Sequence, residues 1–202
     1  MRNIFINPDT KIIRAGWRII IFAVLFLIFN AGLMVGVRSI LGELPAAGTL
    51  WFLLLGIAAT IATYITTKYV SKKPIVSLGL KRKFAISDLL VGIFISALIM
   101  AFMYFTLWGL GYIQFNGFSW WQDDSHILGN FTSASIWTAI AVFFQFSIVA
   151  WWEELAFRGI ILQNIARGLN IKWGVLISTL GFGLIHAGNP NATVLSTVLI
   201  MI

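Results

Sequence analysis

Apolar residues run along this chain in long blocks, and the polar residues gather between them. The first block covers residues 17–37, the second 46–66 and the third 89–113. A fourth runs from 133 to 152, with a helical pattern that reaches 166. A fifth covers 173–188 and is interrupted by Pro190, and a sixth apolar run occupies 192–202. About 20 apolar residues in a helix cross a bilayer core of roughly 30 Å. In lipid each backbone polar group needs a partner within the protein, and a helix supplies one internally. The pattern predicts an all-α fold: a polytopic transmembrane helix bundle of five spans plus a truncated sixth, forming a single transmembrane domain over 1–202. The sixth run would rise only about 16 Å, half a bilayer core, which suggests a C-terminally truncated fragment. Ser87 and Asp88 sit where the N-cap of the third helix is expected. Gly32 and Gly36 fit a close helix contact through small residues.

Composition supports the membrane reading. The 202 residues are 59% hydrophobic and only 10% charged, against about 25% charged in a soluble domain. That excludes an ordinary soluble domain and a disordered chain. Cysteine is absent, which removes disulfide frameworks and thiolate metal sites. The first block is too long and starts too late for a cleaved signal peptide.

The net charge of +7 has a topological reading. Basic residues cluster before the first block (Arg2, Lys11, Arg14, Arg18), between the second and third (Lys68, Lys72, Lys73, Lys81, Arg82, Lys83) and between the fourth and fifth (Arg167, Lys172). The loop at 114–131 carries Asp123, Asp124 and His126 but no Lys or Arg. By the positive-inside rule the N-terminus and the basic loops are cytoplasmic. No polar domain is left to present a basic face to nucleic acid, so none is expected as a partner; the expected partners are membrane lipid and a peptide or protein substrate. Asn130-Phe131-Thr132 matches a glycosylation acceptor, a tripeptide common by chance.

One stretch sets charge into an apolar span: Trp151-Trp152-Glu153-Glu154-Leu155-Ala156-Phe157-Arg158-Gly159. An ionisable residue inside a membrane costs about 2.5–3.5 kcal/mol by insertion scales and is kept for function or a specific lock. Glu154 and Arg158 are four apart with the acid first, the favourable order for a helical pair. Glu153 points about 100° away and has no intrahelical partner, which suits a general base or acid. The alternative is a buried Glu–Arg lock with Glu153 reaching the interface. In the next block, Phe182-Gly183-Leu184-Ile185-His186 places one imidazole in an apolar helix. Gly181 and Gly183 would let that helix approach the glutamates, and Asn189 and Asn191 add amides beyond it. His186 lies 13 residues past Trp173, about 20 Å up, whereas Glu153 reads as near the cytoplasmic end of its helix. The two meet only if one helix tilts or starts below the membrane surface. A catalytic zinc takes three protein ligands, and the spans offer Glu153, Glu154 and His186. No Ser-His-Asp arrangement or phosphate loop is present.

Glu153-Glu154-x-x-x-Arg158 on one span, followed by Phe182-x-x-x-His186 on the next, resembles the CAAX protease and bacteriocin-processing family. These are the type II CAAX prenyl endopeptidase or Abi intramembrane proteases. The motif-bearing core covers about 133–202. The resemblance implies a CAAX-type intramembrane endopeptidase that cleaves peptide bonds near the cytoplasmic face, in a bacterial plasma membrane. By resemblance Glu153 activates the attacking water, and His186 helps hold that water or a metal. Glu154 and Arg158 take orienting and structural roles. A divalent metal such as zinc, if used, would rest on Glu153 and His186. The family's third motif, His-x-x-x-Asn or a variant, has no counterpart before Ile202, so low activity is expected of this polypeptide alone. Two other readings compete. One is a non-catalytic membrane protein, such as a bacteriocin self-immunity factor or a scaffold. The other is a small transporter or proton relay, for which the chain lacks the usual internal repeats and interrupted helix pair.

Overall fold

A computed structural model describes residues 4–43, 48–80, 83–116 and 133–201. The described residues are helical apart from turns and one isolated antiparallel bridge between Ile6 and Ile13. His126, Asp123, Asp124 and the Asn130 tripeptide lie outside them.

The apolar blocks become α1 (Ala15–Leu41), α2 (Thr49–Ile65, continued by a π-helical turn Thr66–Val70), α3 (Ala85–Gly109) and α4 (Ser133–Glu153). After α4 the chain continues without a break through a π-helical segment, Glu154–Ile161, into α5 (Leu162–Gly168). Then come α6 (Ile171–His186) and a short α7 (Val194–Ile200). Among the described residues four helices are long and apolar enough to cross a membrane; α6, at 16 residues, is shorter. It rises about 24 Å, less than a full hydrocarbon core, because the Asn189-Pro190 turn ends it.

The third helix starts earlier than its sequence suggests. Phe84, not Ser87 or Asp88, is the N-cap, and the Ser87 hydroxyl donates to the Phe84 carbonyl (2.9 Å). An apolar run that begins at Phe84 lets the helix propagate backwards past the expected cap. Gly32 and Gly36 also depart from expectation: a methyl group at either would meet nothing within 4 Å. They make no close helix contact within the described chain.

The chain divides into two compact units, Met1–Leu80 with Val142–Ile202, and Lys81–Ala141. In the second unit α3 has no buried residue. In the first, a core forms from Phe22, Ala62, Leu78, Ala156, Phe157 and Ile160. Small residues allow it. Ala58, Ala59 and Ala62 of α2 are fully buried, and a Cβ at Gly56 would stand 2.9 Å from the Ile148 side chain. Without a hydrophobic drive between helices in lipid, such close backbone approach is what lets dispersion hold them together. The Trp151 indole crosses the same contact and donates to the Thr60 hydroxyl (3.0 Å).

Candidate active site

The two motifs meet through the packing of the π-helical segment against α6. In Glu154–Ile161 the i→i+5 pattern replaces i→i+4, a change found mostly as a local bulge and often at functional sites. Its inner face, Leu155, Ala156, Phe157, Gly159 and Ile160, is buried. The Phe157 carbonyl accepts from the Leu162 amide and from the buried Ser178 hydroxyl of α6 (3.0 Å). This hydrogen bond ties the two helices at a fixed level.

The turn between them sets the height. α5 runs on to Gly168, so Glu153 stands about 15 residues above the turn, and His186 stands about 15 residues above Ile171. Both are therefore roughly 20 Å from the turn. The expected mismatch in depth disappears because the helix does not stop near Glu153. The close approach is made at Gly174. A Cβ there would lie 3.0 Å from the Leu162 carbonyl oxygen and 3.1 Å from the Ala166 Cβ. Gly181 is in ordinary contact distance of the Phe157 ring, and Gly183 packs against α7 at Thr197 and Met201 rather than against the glutamate helix. In the sequence Gly181 and Gly183 stand out because they closely precede His186, whereas no neighbour marks Gly174.

At this level Glu153 Oε1 lies 3.8 Å from His186 Nε2, and both side chains are about four-fifths sheltered (19% and 20% exposed). Glu154 is turned the other way and joins Arg158 in an ion pair four residues along the helix. That pair is open: 53% of the Glu154 side chain and 59% of the Arg158 side chain are exposed. A buried Glu–Arg lock, one of the arrangements expected from the spacing, is therefore not what the fold builds. The buried face of the segment is taken by Leu155, Ala156, Phe157, Gly159 and Ile160, which leaves the outward side to the pair.

Phe182 explains the spacing of the second motif. Its carbonyl is 2.8 Å from His186 Nδ1. A carbonyl only accepts, so Nδ1 carries a proton, and in the neutral form of the ring the Nε2 lone pair faces Glu153. The Phe182 ring lies 4.5 Å from the His186 ring and 5.1 Å, edge-on, from Phe157. The Arg158 guanidinium sits 5.9 Å from its centroid, within cation–π range. One aromatic thus touches the imidazole, the core and the outer ion pair. The four-residue spacing between Phe182 and His186 is the sequence signal of this contact. Behind Glu153, Trp152 stacks on Phe26 of α1 (6.1 Å). Asn189 and Asn191 lie in the turn after α6, with Asn191 at a positive φ of 61°.

Among the described residues no group of three or more His, Cys, Asp and Glu converges. Glu153 and His186 face each other and Glu154 turns away to Arg158, so two protein donors meet where a catalytic zinc takes three. The described residues do not make that site.

The comparisons agree with the motifs. No curated protein and no solved structure matches the chain. Residues 135–202 match the family described as type II CAAX prenyl endopeptidase Rce1-like, and both motifs fall inside that segment. The C-terminal third of the chain, with the paired helices that carry Glu153 and His186, is thus similar to the Rce1-like type II CAAX prenyl endopeptidases.

Proposed function

We propose that this protein is a CAAX-type intramembrane endopeptidase in which Glu153 and His186 share one attacking water. The observation that carries the reading is the 3.8 Å gap between Glu153 Oε1 and His186 Nε2, combined with an imidazole whose Nδ1–H is committed to the Phe182 carbonyl. A direct hydrogen bond does not span 3.8 Å. One water donating to both acceptors does. As that water's oxygen adds to the peptide carbonyl carbon, Glu153 takes its proton. The same proton then goes to the leaving amine as the C–N bond breaks, so the glutamate is regenerated. His186 holds the water's second hydrogen and fixes the direction of attack. Arg158 keeps Glu154 from competing for the water, and its contact with Phe182 connects that outer pair to the ring beside His186.

Substrate, orientation and setting belong to the same proposal. The substrate is a peptide or protein presented at the membrane, with lipid the other partner and nucleic acid none. The N-terminus and the basic loop at 68–88 face the cytoplasm, as the distribution of Lys and Arg supports, and a bacterial plasma membrane is the setting. Because the chain has no cysteine, a single Lys83→Cys variant reports orientation cleanly. Labelling by an impermeant thiol reagent only after the membrane is opened is expected, and labelling of intact cells would reverse it.

The activity is tested with purified protein in detergent and quenched-fluorescent prenylated CAAX-type peptides. Cleavage by the wild type that is lost in Glu153→Gln, with an unchanged melting temperature, supports the assignment. Equal cleavage by both proteins overturns it and leaves the motif a structural role, as in a self-immunity or scaffold protein.

A further inference from the structure

A second polar site lies beside the α5–α6 turn, where the N-terminal segment and the start of α1 close over Ile165–Leu169. It is a cavity of about 410 Å³ lined by Arg14, Arg18 and Arg167 together with Ala15, Gly16 and Gly168. No Asp or Glu is among the described residues that line it.

Arg18 is only 9% exposed, and its Nε has no hydrogen-bond partner. Its guanidinium is close enough to that of Arg167 for the two to repel. Arg167 donates one Nη2 bond to the Ser77 carbonyl (3.1 Å), which leaves most of its five N–H groups for other acceptors. A sheltered guanidinium beside a like charge is costly unless an anion joins it. The cavity also receives the first turn of α1, a 27-residue helix whose N-cap, Arg14, makes no side-chain capping bond. First-turn N–H groups have no intrahelical acceptor and carry the positive end of the helix dipole. Gly168 brings the turn against that helix start: a Cβ on it would stand 2.7 Å from the Ala15 Cβ.

Guanidinium forks over a helix N-terminus match the oxygens of a phosphate group, with bidentate bonds from arginine and single bonds from backbone amides. The cavity also lies where two apolar helices begin, the level at which lipid headgroups are found. We propose that this cavity binds a phosphate group, brought either by an anionic phospholipid headgroup or by free phosphate, and that the bound anion clamps α1 to the α5–α6 turn beneath the glutamate site.

The test is the melting temperature of the purified full chain in neutral detergent. It is measured with added phosphatidylglycerol, with phosphatidylcholine and with inorganic phosphate. Saturating anion should raise it by about 5 °C or more, with no rise from phosphatidylcholine. A rise with phosphatidylglycerol alone assigns the site to lipid; an equal rise with inorganic phosphate assigns it to the free anion. Arg18→Gln and Arg167→Gln should abolish the rise, whereas Lys73→Gln, a basic position outside the cavity, should keep it. No rise with either anion, an equal rise with phosphatidylcholine, or an undiminished rise in the arginine variants overturns the proposal. If Arg18→Gln does not fold, native mass spectrometry of wild type and Arg167→Gln decides it: the wild type should retain phosphatidylglycerol, the variant should not, and equal retention overturns the proposal.

Discussion

Two glutamates that are neighbours in the chain end in opposite environments. Glu153 is 19% exposed and faces an imidazole on another helix; Glu154 is 53% exposed and faces an arginine on its own. The second pair is local and needs only four-residue helical spacing. The first exists only because α6 is held against the π-helical segment by Ser178 and the Phe157–Phe182 contact, and against α5 by Gly174. A side-chain pair made within one helix organises its surface. One made between helices depends on the fold and responds to it, which is where a reaction that needs placed groups can be housed.

The largest expected effect separates the two acids directly. Glu153→Gln should lower the rate of peptide cleavage by about 10²–10⁴, the range assigned to a positioned general base. Glu154→Gln should lower it far less. Rates for the two variants side by side check this, and a larger loss at Glu154 would exchange their roles. His186→Ala comes next. It removes one of the two acceptors that hold the water, and a loss of about 10²-fold in kcat is expected, with KM little changed, because Glu153 still activates the water. A rise in KM without a fall in kcat would make His186 a substrate-binding group instead.

Gly174→Val attacks the comparison from the side of packing. Its side chain would enter the space now held by the Leu162 carbonyl and Ala166, and overpacking of this kind costs about 1–3 kcal/mol. The melting temperature should fall, and activity should fall with it, since the helix crossing places His186. Arg158→Gln should do least. An exposed pair contributes about 0–1 kcal/mol, so stability should hardly move and the rate should drop by less than tenfold. Failure of Arg158→Gln to accumulate in the membrane would show that the pair faces hydrocarbon, where an unpaired acid is far more costly.

Much of this was legible along the chain. Long apolar blocks predict membrane helices because lipid removes every alternative for the backbone. The Glu154–Arg158 pair follows from helical spacing alone. The first motif could be read beyond residue 152 as helix, but its π-helical turn could not: apolar periodicity does not distinguish an i→i+5 turn from an α-turn over eight residues. The start of α3 was misplaced because Ser87 and Asp88 are good caps, yet a serine in a helix can satisfy its hydroxyl on a preceding carbonyl. The role of Gly174 is not legible in the sequence, since a glycine in a Gly-rich apolar chain gives no sign of which contact it serves.

The sequence by itself determined that the chain is a helical membrane protein and which residues are candidates for its chemistry. Those properties depend on composition and on local spacing, and each residue contributes to them without reference to distant ones. Tertiary structure alone decided that Glu153 rather than Glu154 meets His186, that both stand level above a shared turn, and that three arginines from opposite ends of the chain surround one cavity. Each of these depends on where an α5 that runs to Gly168 reverses into α6 and how closely the two backbones approach. That distance is set by side-chain volume at the crossing, which no single residue's chemistry reveals.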